Sequence, residues 1–150
     1  MKRYGKILLY IQVKGDIIQM PETSMENIST AALAYLGDSV VELCVRSYLV
    51  SLGISNAGKL NERALDFVRA KAQCSALKKI LPYLTEDENA VYRRGRNIDH
   101  HSIPKSASPV EYKEATGFET IFGYLHLLGK KERIDELFSL AYALDESAEK

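Results

Sequence analysis

The fold is decided by the stretch Leu33-Ala34-Tyr35-Leu36-Gly37-Asp38-Ser39-Val40-Val41-Glu42-Leu43, at the centre of a helix predicted from Ser29 to Gly53. At about 3.6 residues per turn, its apolar side chains cover most of the helix circumference, which is typical of a helix at the centre of a domain. Asp38 lies at the border of the one polar stripe, where a carboxylate needs a partner that offsets its desolvation. Gly37 costs a helix interior about 1 kcal/mol relative to Ala, so it indicates close approach of another backbone. An Asp that only caps or pairs locally remains the alternative.

The composition limits the classes of protein that this chain can represent. Its 150 residues are enough for one domain with a real core, and a hydrophobic fraction of 46% is ordinary for a globular protein. No run of eighteen apolar residues occurs, so we expect no membrane span. Twenty basic residues balance twenty acidic ones, which argues against nucleic-acid binding by bulk charge. Any nucleic-acid binding must therefore use local patches of positive charge.

The first 27 residues differ in character from the rest of the chain. They contain basic residues and the short apolar run 7–13, which lacks the length and the small-residue cleavage site of a secretory signal. We therefore predict an N-terminal arm at 1–27, irregular or with a short strand, and a helical domain at 28–148; Met20 and Met25 leave room for a later start. Cys44 and Cys74 lack the close pairing of redox or zinc motifs, so we expect reduced core residues in a cytoplasmic protein.

Hydrophobic periodicity and capping signals predict the order of the helices. Ser29 or Thr30 is the expected N-cap of the central helix, and Gly53 is the expected residue after its C-cap. The later helices are predicted at about 57–81, stopped by Pro82, then from a capping box at Thr85, at 111–128 and at about 132–144. Sustained alternation of period two is absent outside the arm, so the domain is predicted to be all-α.

Basic residues concentrate in two regions of the chain. Between Lys59 and Lys79 there are six basic residues and two acidic ones, although such an excess is usually a solvated helix face. The short helix ends in Arg93-Arg94-Gly95-Arg96-Asn97, followed by the polar stretch 98–110 with His100, His101 and Lys105. Long loops in compact domains tend to be functional or disordered. The arginine cluster has the same alternative interpretation, a solvated helix end.

A second carboxylate, Glu119, also lies among apolar neighbours on a predicted helix, with Gly117 and Gly123 nearby. Two carboxylates on facing helices, each beside a glycine that permits close approach, form a minimal site for Mg²⁺. Asp38 and Glu119 are the predicted pair. Glu42, one turn after Asp38, could hold an outer-shell water or pair with Arg46, and the second outcome is commoner for such a spacing.

Other residues that suggest chemistry are weaker candidates. His100 and His101 are adjacent on a loop and have no third ligand at suitable spacing, so we interpret them as loop histidines within reach of phosphate. His126 is expected to pack in the core or at a dimer contact. Neither cysteine has a histidine partner that would make it a nucleophile.

The two acidic stretches resemble motifs of a known family. Residues 33–40 resemble the signature helix of ribonuclease III domains, and Gly117-Phe118-Glu119-Thr120-Ile121-Phe122-Gly123 resembles their second acidic motif. Ribonuclease III proper usually has two further acids, which Ala34 and Thr116 replace here. That departure fits Mini-ribonuclease III, as do Ala70-Lys71-Ala72-Gln73, Arg93–Asn97, Pro104-Lys105 and the lack of a double-stranded-RNA-binding domain after residue 144.

The resemblance, which covers roughly residues 28–144, implies a fold and an activity. It implies a ribonuclease III-type helical domain that acts as a homodimeric, Mg²⁺-dependent endoribonuclease on double-stranded RNA, with Mn²⁺ as a substitute. In bacteria such enzymes typically mature 23S ribosomal RNA and leave 5′-phosphate and 3′-hydroxyl ends. By analogy Asp38 and Glu119 hold the cation, and the RNA groove is expected to be lined by Lys71, Arg93, Arg94, Arg96 and Lys105.

Two other functions were weighed against the nuclease. Zero net charge and the two missing acids favour a catalytically inactive helical RNA-binding or scaffolding module. A DNA-binding regulator would need a basic recognition helix, and the helix before Arg93 is acidic at its start. The apolar circumference of the central helix independently favours a dimer, because a small domain could hardly cover it alone.

Overall fold

The computed structural model describes residues 12–14, 17–19, 25–100 and 102–144. The described residues form six α-helices, which confirms the all-α prediction for the domain. In chain order they are α1 (Thr30–Ser51), α2 (Ala57–Val68), α3 (Ala70–Ile80), α4 (Glu86–Arg96), α5 (Pro109–Leu127) and α6 (Lys131–Tyr142), with a 3₁₀ turn at Leu81–Tyr83. In the arm, β1 (Gln12–Lys14) and β2 (Ile17–Gln19) pair as antiparallel strands. None of the helices in these ranges is long and apolar enough to cross a membrane.

Helices α1 and α5 form the centre of the domain and contribute half of the buried apolar residues in the described part of the chain. Ser29 caps α1 by accepting a hydrogen bond from the Ala32 N–H at 3.1 Å, and Gly53 has a φ of 79° just after the helix, as the sequence predicted. On α5 the run 115–118 and the run 120–123 are buried, which explains its central position. The fully buried side chains where the helices meet include Val41, Val45, Leu49, Phe118 and Phe122.

The single helix predicted over 57–81 is wrong, because the chain divides it into α2 and α3. Arg69 takes an extended conformation with a ψ of 146° between them. In an unbroken helix the Phe67 carbonyl would bond the N–H of Lys71. Here it accepts a hydrogen bond from the Tyr142 hydroxyl at 2.9 Å, and the two rings pack with their centroids 5.0 Å apart. A contact from α6 thus replaces the helical bond, and no glycine or proline marks the break.

The ends of α4 and α5 follow local capping chemistry. Thr85 and Glu88 form the predicted capping box at the start of α4. Helix α5 begins at Pro109, two residues before the predicted position, because Ser108 caps it and Glu111 completes a second capping box. The loop between the helices is therefore slightly shorter than the sequence indicated.

Candidate metal and nucleic-acid site

The backbones of α1 and α5 are in contact beside the two candidate acidic residues. A Cβ atom added to Gly37 would overlap the main-chain carbonyl of Glu119 and lie 2.9 Å from the nitrogen of Gly123. A Cβ added to Gly123 would overlap the carbonyl of Leu33. The close approach predicted from Gly37 is confirmed, and it brings Asp38 and Glu119 to adjoining positions on the two helices.

Asp38 and Glu119 line the same open cavity, whose volume is about 950 Å³. Helix α1 contributes Asp38 and Tyr35, and α5 contributes Glu119. Ala34 and Thr116, the positions at which ribonuclease III proper carries further acids, lie in the same wall. Further lining residues come from the α2–α3 junction and the start of α3 (Arg69, Lys71 and Gln73), from the loop before α5 (His100, Pro104 and Ser106) and from α5 itself (Tyr112).

The surroundings of both carboxylates disfavour their ionisation. Burial, followed by the charge of Asp38, raises the pKa of Glu119 to about 7, while a hydrogen bond from the Gln73 side chain partly opposes this rise. Partial burial and the charge of Glu42 raise the pKa of Asp38. When both carboxylates are charged, their repulsion in this partly desolvated site is relieved by a cation that binds between them.

The donor set fits a hard divalent cation with few protein ligands. Carboxylate oxygens suit Mg²⁺, which keeps several waters and needs one or two protein carboxylates. Among the described residues no three His, Cys, Asp or Glu side chains gather as a larger ligand set. Of the two roles left open for Glu42, the structure contains the ion pair, with 3.2 Å between Glu42 Oε2 and Arg46 Nε.

Gln73 is a site residue that sequence reasoning missed. It is only 1% exposed, yet it lies in the same cavity wall as Glu119, and its side chain, as a hydrogen-bond donor, lowers the pKa of the Glu119 carboxyl. The motif Ala70–Gln73 drew attention to this segment, but no pattern in the sequence shows that the amide turns inward. Arg69, at the break between α2 and α3, was also missed and lines the same cavity.

The predicted RNA-binding residues divide into two groups. Lys71 lies in the cavity wall, and exposed Lys105 stands between two residues that line it. Arg93 and Arg94 are exposed on the last turn of α4, outside the cavity lining. Arg96 is partly buried, and its guanidinium lies 5.5 Å from the ring centroid of Tyr92. The structure therefore brings only part of the basic set to the carboxylates.

In the part of the chain that the structure describes, the histidines and cysteines form no second cluster of metal ligands. His100 lies in the cavity wall, edge-on to Tyr112 at 4.7 Å, and its Nε2 is buried without a hydrogen-bond partner in the described structure. His101 lies outside the described residues, and His126 is partly buried. Both cysteines are free thiols, and burial raises the pKa of Cys44 to about 11, which makes it a poor nucleophile.

Comparison with known proteins identifies the family. The ribonuclease III domain matches residues 31–130, which include both carboxylates. The Mini-ribonuclease 3 of Enterococcus faecalis is 44% identical, over 76% of this chain and 88% of its own length. That of Symbiobacterium thermophilum is 47% identical, over 73% of this chain and 84% of its own length.

The chain belongs to the Mini-ribonuclease III family. Its fold agrees with this assignment, because a crystal structure of a Fusobacterium nucleatum protein superposes with a TM-score of 0.73 at 34% identity. That likeness covers 81% of this chain and 98% of the other. The resemblance seen in the two acidic stretches is therefore confirmed, and the cavity lies within the matched domain of this Mini-ribonuclease III family member.

Proposed function

We propose that this protein is a Mg²⁺-dependent endoribonuclease that cleaves double-stranded RNA and leaves 5′-phosphate and 3′-hydroxyl ends. The observation that carries the proposal is the meeting of Asp38 and Glu119 in one open cavity of a Mini-ribonuclease III family chain. Both acids lie on helices that pack through glycines, so their separation is fixed by backbone contact. An isolated pair of surface acids would lack that rigidity.

Asp38 and Glu119 would hold the cation. When bound, Mg²⁺ supplies positive charge at the phosphate and lowers the pKa of a bound water for in-line attack on phosphorus. The chain's own residues then have two tasks, to keep both carboxylates ionised and to orient the RNA. Because water is the nucleophile in this scheme, the unreactive thiols of Cys44 and Cys74 need no role.

The basic residues around the cavity would grip the RNA by its backbone. A-form duplexes are recognised mainly through phosphates and 2′-hydroxyls, so a neutral protein can bind them with local cations. We propose this role for Lys71, Arg93, Arg94, Arg96 and Lys105, with Arg69 as an addition from the cavity wall.

Cleavage of both strands would need two such sites, and we propose a homodimer. An apolar row on α1 supports it, because Leu43 and Val50 are 65% and 59% exposed and lie two turns apart on one side of the helix. Large exposed apolar patches commonly mark protein interfaces. A twofold dimer built on α1 would place two cavities along one RNA duplex.

The biological substrate that we propose is the precursor of 23S ribosomal RNA, processed in the bacterial cytoplasm. The similarity to proteins named Mini-ribonuclease 3 supports this assignment. The test is the purified protein against precursor RNA, with the ends of the products mapped. Cleavage of unrelated duplexes but not of the precursor would contradict the substrate assignment alone.

The activity itself is tested on a long RNA duplex with and without Mg²⁺. We expect cleavage only with the cation, and its loss in Asp38→Asn and Glu119→Gln. Asp66→Asn, which removes an exposed acid on α2, is the matched control and should cleave normally. Binding of RNA without cleavage in the unmodified protein would instead support the inactive RNA-binding module.

RNA contact is tested by charge reversal at Arg94. Because a phosphate contact releases counterions, Arg94→Glu should lower RNA affinity and flatten its dependence on salt. Arg63→Glu makes the same charge change on α2 and should have a smaller effect. Equal effects of the two variants would contradict a specific contact at Arg94.

A further inference from the structure

We propose that Gln73 is a positioning residue that holds the Glu119 carboxylate in place for cation binding, an inference that rests on the function proposed above. Gln73 comes from α3, whereas the carboxylates come from α1 and α5. A third helix would therefore take part in the site without supplying a ligand of its own.

The burial of Gln73 is the first step of the argument. Its side chain is almost completely buried in the core side of the cavity wall, where a polar amide is costly unless it is hydrogen-bonded. A methionine or leucine would fill similar space without this desolvation cost. Packing alone therefore does not explain why an amide side chain occupies position 73.

The carboxylate of Glu119 explains the presence of this amide. Gln73 and Glu119 line the same cavity, and the Gln73 side chain acts on the Glu119 carboxyl as a hydrogen-bond donor that lowers the pKa of that group. A carboxylate has about four lone-pair sites, so one donor leaves the others available toward the cavity. A hydrogen bond to a metal-binding carboxylate fixes its rotamer, as partners of metal ligands commonly do.

Glu119 is consequently held at both ends. Gly37 on α1 packs against its main-chain carbonyl, and Gln73 on α3 holds its side chain. Asp38 follows Gly37 directly, so the same contact that fixes the backbone of Glu119 also fixes the second carboxylate. The break at Arg69 lets α3 start at the cavity, three residues before Gln73.

The test measures Mn²⁺ binding to the RNA-free protein, by the electron paramagnetic resonance signal of unbound Mn²⁺. Asp38→Asn first establishes that binding occurs at the carboxylates, because failure of that step would contradict the proposed function rather than this inference. Gln73→Met keeps the volume and removes the donor, and Gln73→Asn shortens its reach by one methylene. We expect each to weaken Mn²⁺ binding about tenfold.

A matched control separates positioning from stability. Thr120→Val removes a buried hydroxyl that bonds the Thr116 carbonyl within α5 and packs against Gly95 of α4. It should lower the melting temperature and leave Mn²⁺ affinity unchanged. With RNA at saturating cation, the Gln73 variants should regain most of their kcat with an unchanged KM, which a merely destabilised protein would not do.

Two results would overturn the inference. One is a folded Gln73→Met or Gln73→Asn protein that binds Mn²⁺ as tightly as the unmodified chain. The second result is needed if neither variant folds. It comes from an NMR measurement of the Gln73 side-chain amide resonance in the unmodified protein. That resonance should shift on titration with Mg²⁺, and an unchanged resonance would show that the amide does not act at the site.

Discussion

Gly37 packs directly against the main-chain carbonyl of Glu119, so closely that any side chain at position 37 would overlap it. This contact joins α1 and α5 at the point where both carboxylates enter the cavity. Stability and cation binding therefore depend on the same backbone crossing. A single methyl group at the crossing should disturb both.

Gly37→Ala should destabilise the protein by about 3 kcal/mol, because backbone cannot move aside as a flexible side chain can. Urea denaturation measures the change. Gly58→Ala, on an exposed face of α2, is the control and should change stability by about 1 kcal/mol at most. Equal small effects at the two glycines would contradict the tight crossing.

Glu119→Gln should stabilise the protein more at pH 8 than at pH 5. Burial and the charge of Asp38 raise the pKa of Glu119 to about 7 in the folded protein, from 4.5 as the ordinary value. The protonated group therefore favours folding below pH 4.5, and this advantage is lost as the pH rises toward 7. Gln cannot ionise, so it avoids the loss. Melting curves at both pH values without divalent cations, with Asp66→Asn as control, test the difference.

Arg133→Met should be a strongly destabilising change on α6. Arg133 binds both oxygens of buried Glu88 at 2.9 Å and the Tyr83 carbonyl at 2.7 Å. Loss of one partner of a buried pair leaves an uncompensated charge, so we expect a cost of about 3 kcal/mol. Lys131→Met, which breaks an exposed pair with Asp135, should cost about 0.5 kcal/mol or less.

The pH dependence of protein stability provides a second test of the contact between Arg133 and Glu88. Burial alone would raise the pKa of Glu88, but hydrogen bonds from Arg133 and Thr85 lower it below 4.5. The contact therefore stabilises the protein above pH 4.5 and is lost as the pH falls through the lowered pKa. Denaturation at pH 7 and at pH 3 should show a smaller difference between Arg133→Met and the unmodified chain at pH 3. A constant difference would argue against this pair.

Leu43→Lys should convert the proposed homodimer into monomers, because it places a charge in the apolar row of α1. Leu43 is already 65% exposed in the single chain, so the folded monomer should lose little stability. Sedimentation equilibrium measures the association state. Leu65→Lys, at an exposed apolar position of α2, is the control and should leave the dimer intact. A monomeric unmodified protein would contradict the assembly.

Several features could be predicted from the sequence because their causes are local. The caps at Ser29 and Thr85 and the glycine after α1 depend on side chains within a few residues of each helix end. The apolar circumference of α1 predicted its central position, and Gly37 beside Asp38 predicted the backbone crossing. Glu119 was found in the same way, as an acid among apolar residues and glycines.

Other features were decided only by the tertiary structure, because their causes lie far apart along the chain. Where α2 ends at Val68, the Phe67 carbonyl that the next helical turn would have used accepts a hydrogen bond from the Tyr142 hydroxyl, 75 residues away. Gln73 reaches Glu119 only because α3 begins anew beside the cavity. Periodicity records which face of a helix is apolar, but it cannot show which distant donor will meet a carbonyl or a carboxylate once the helices pack.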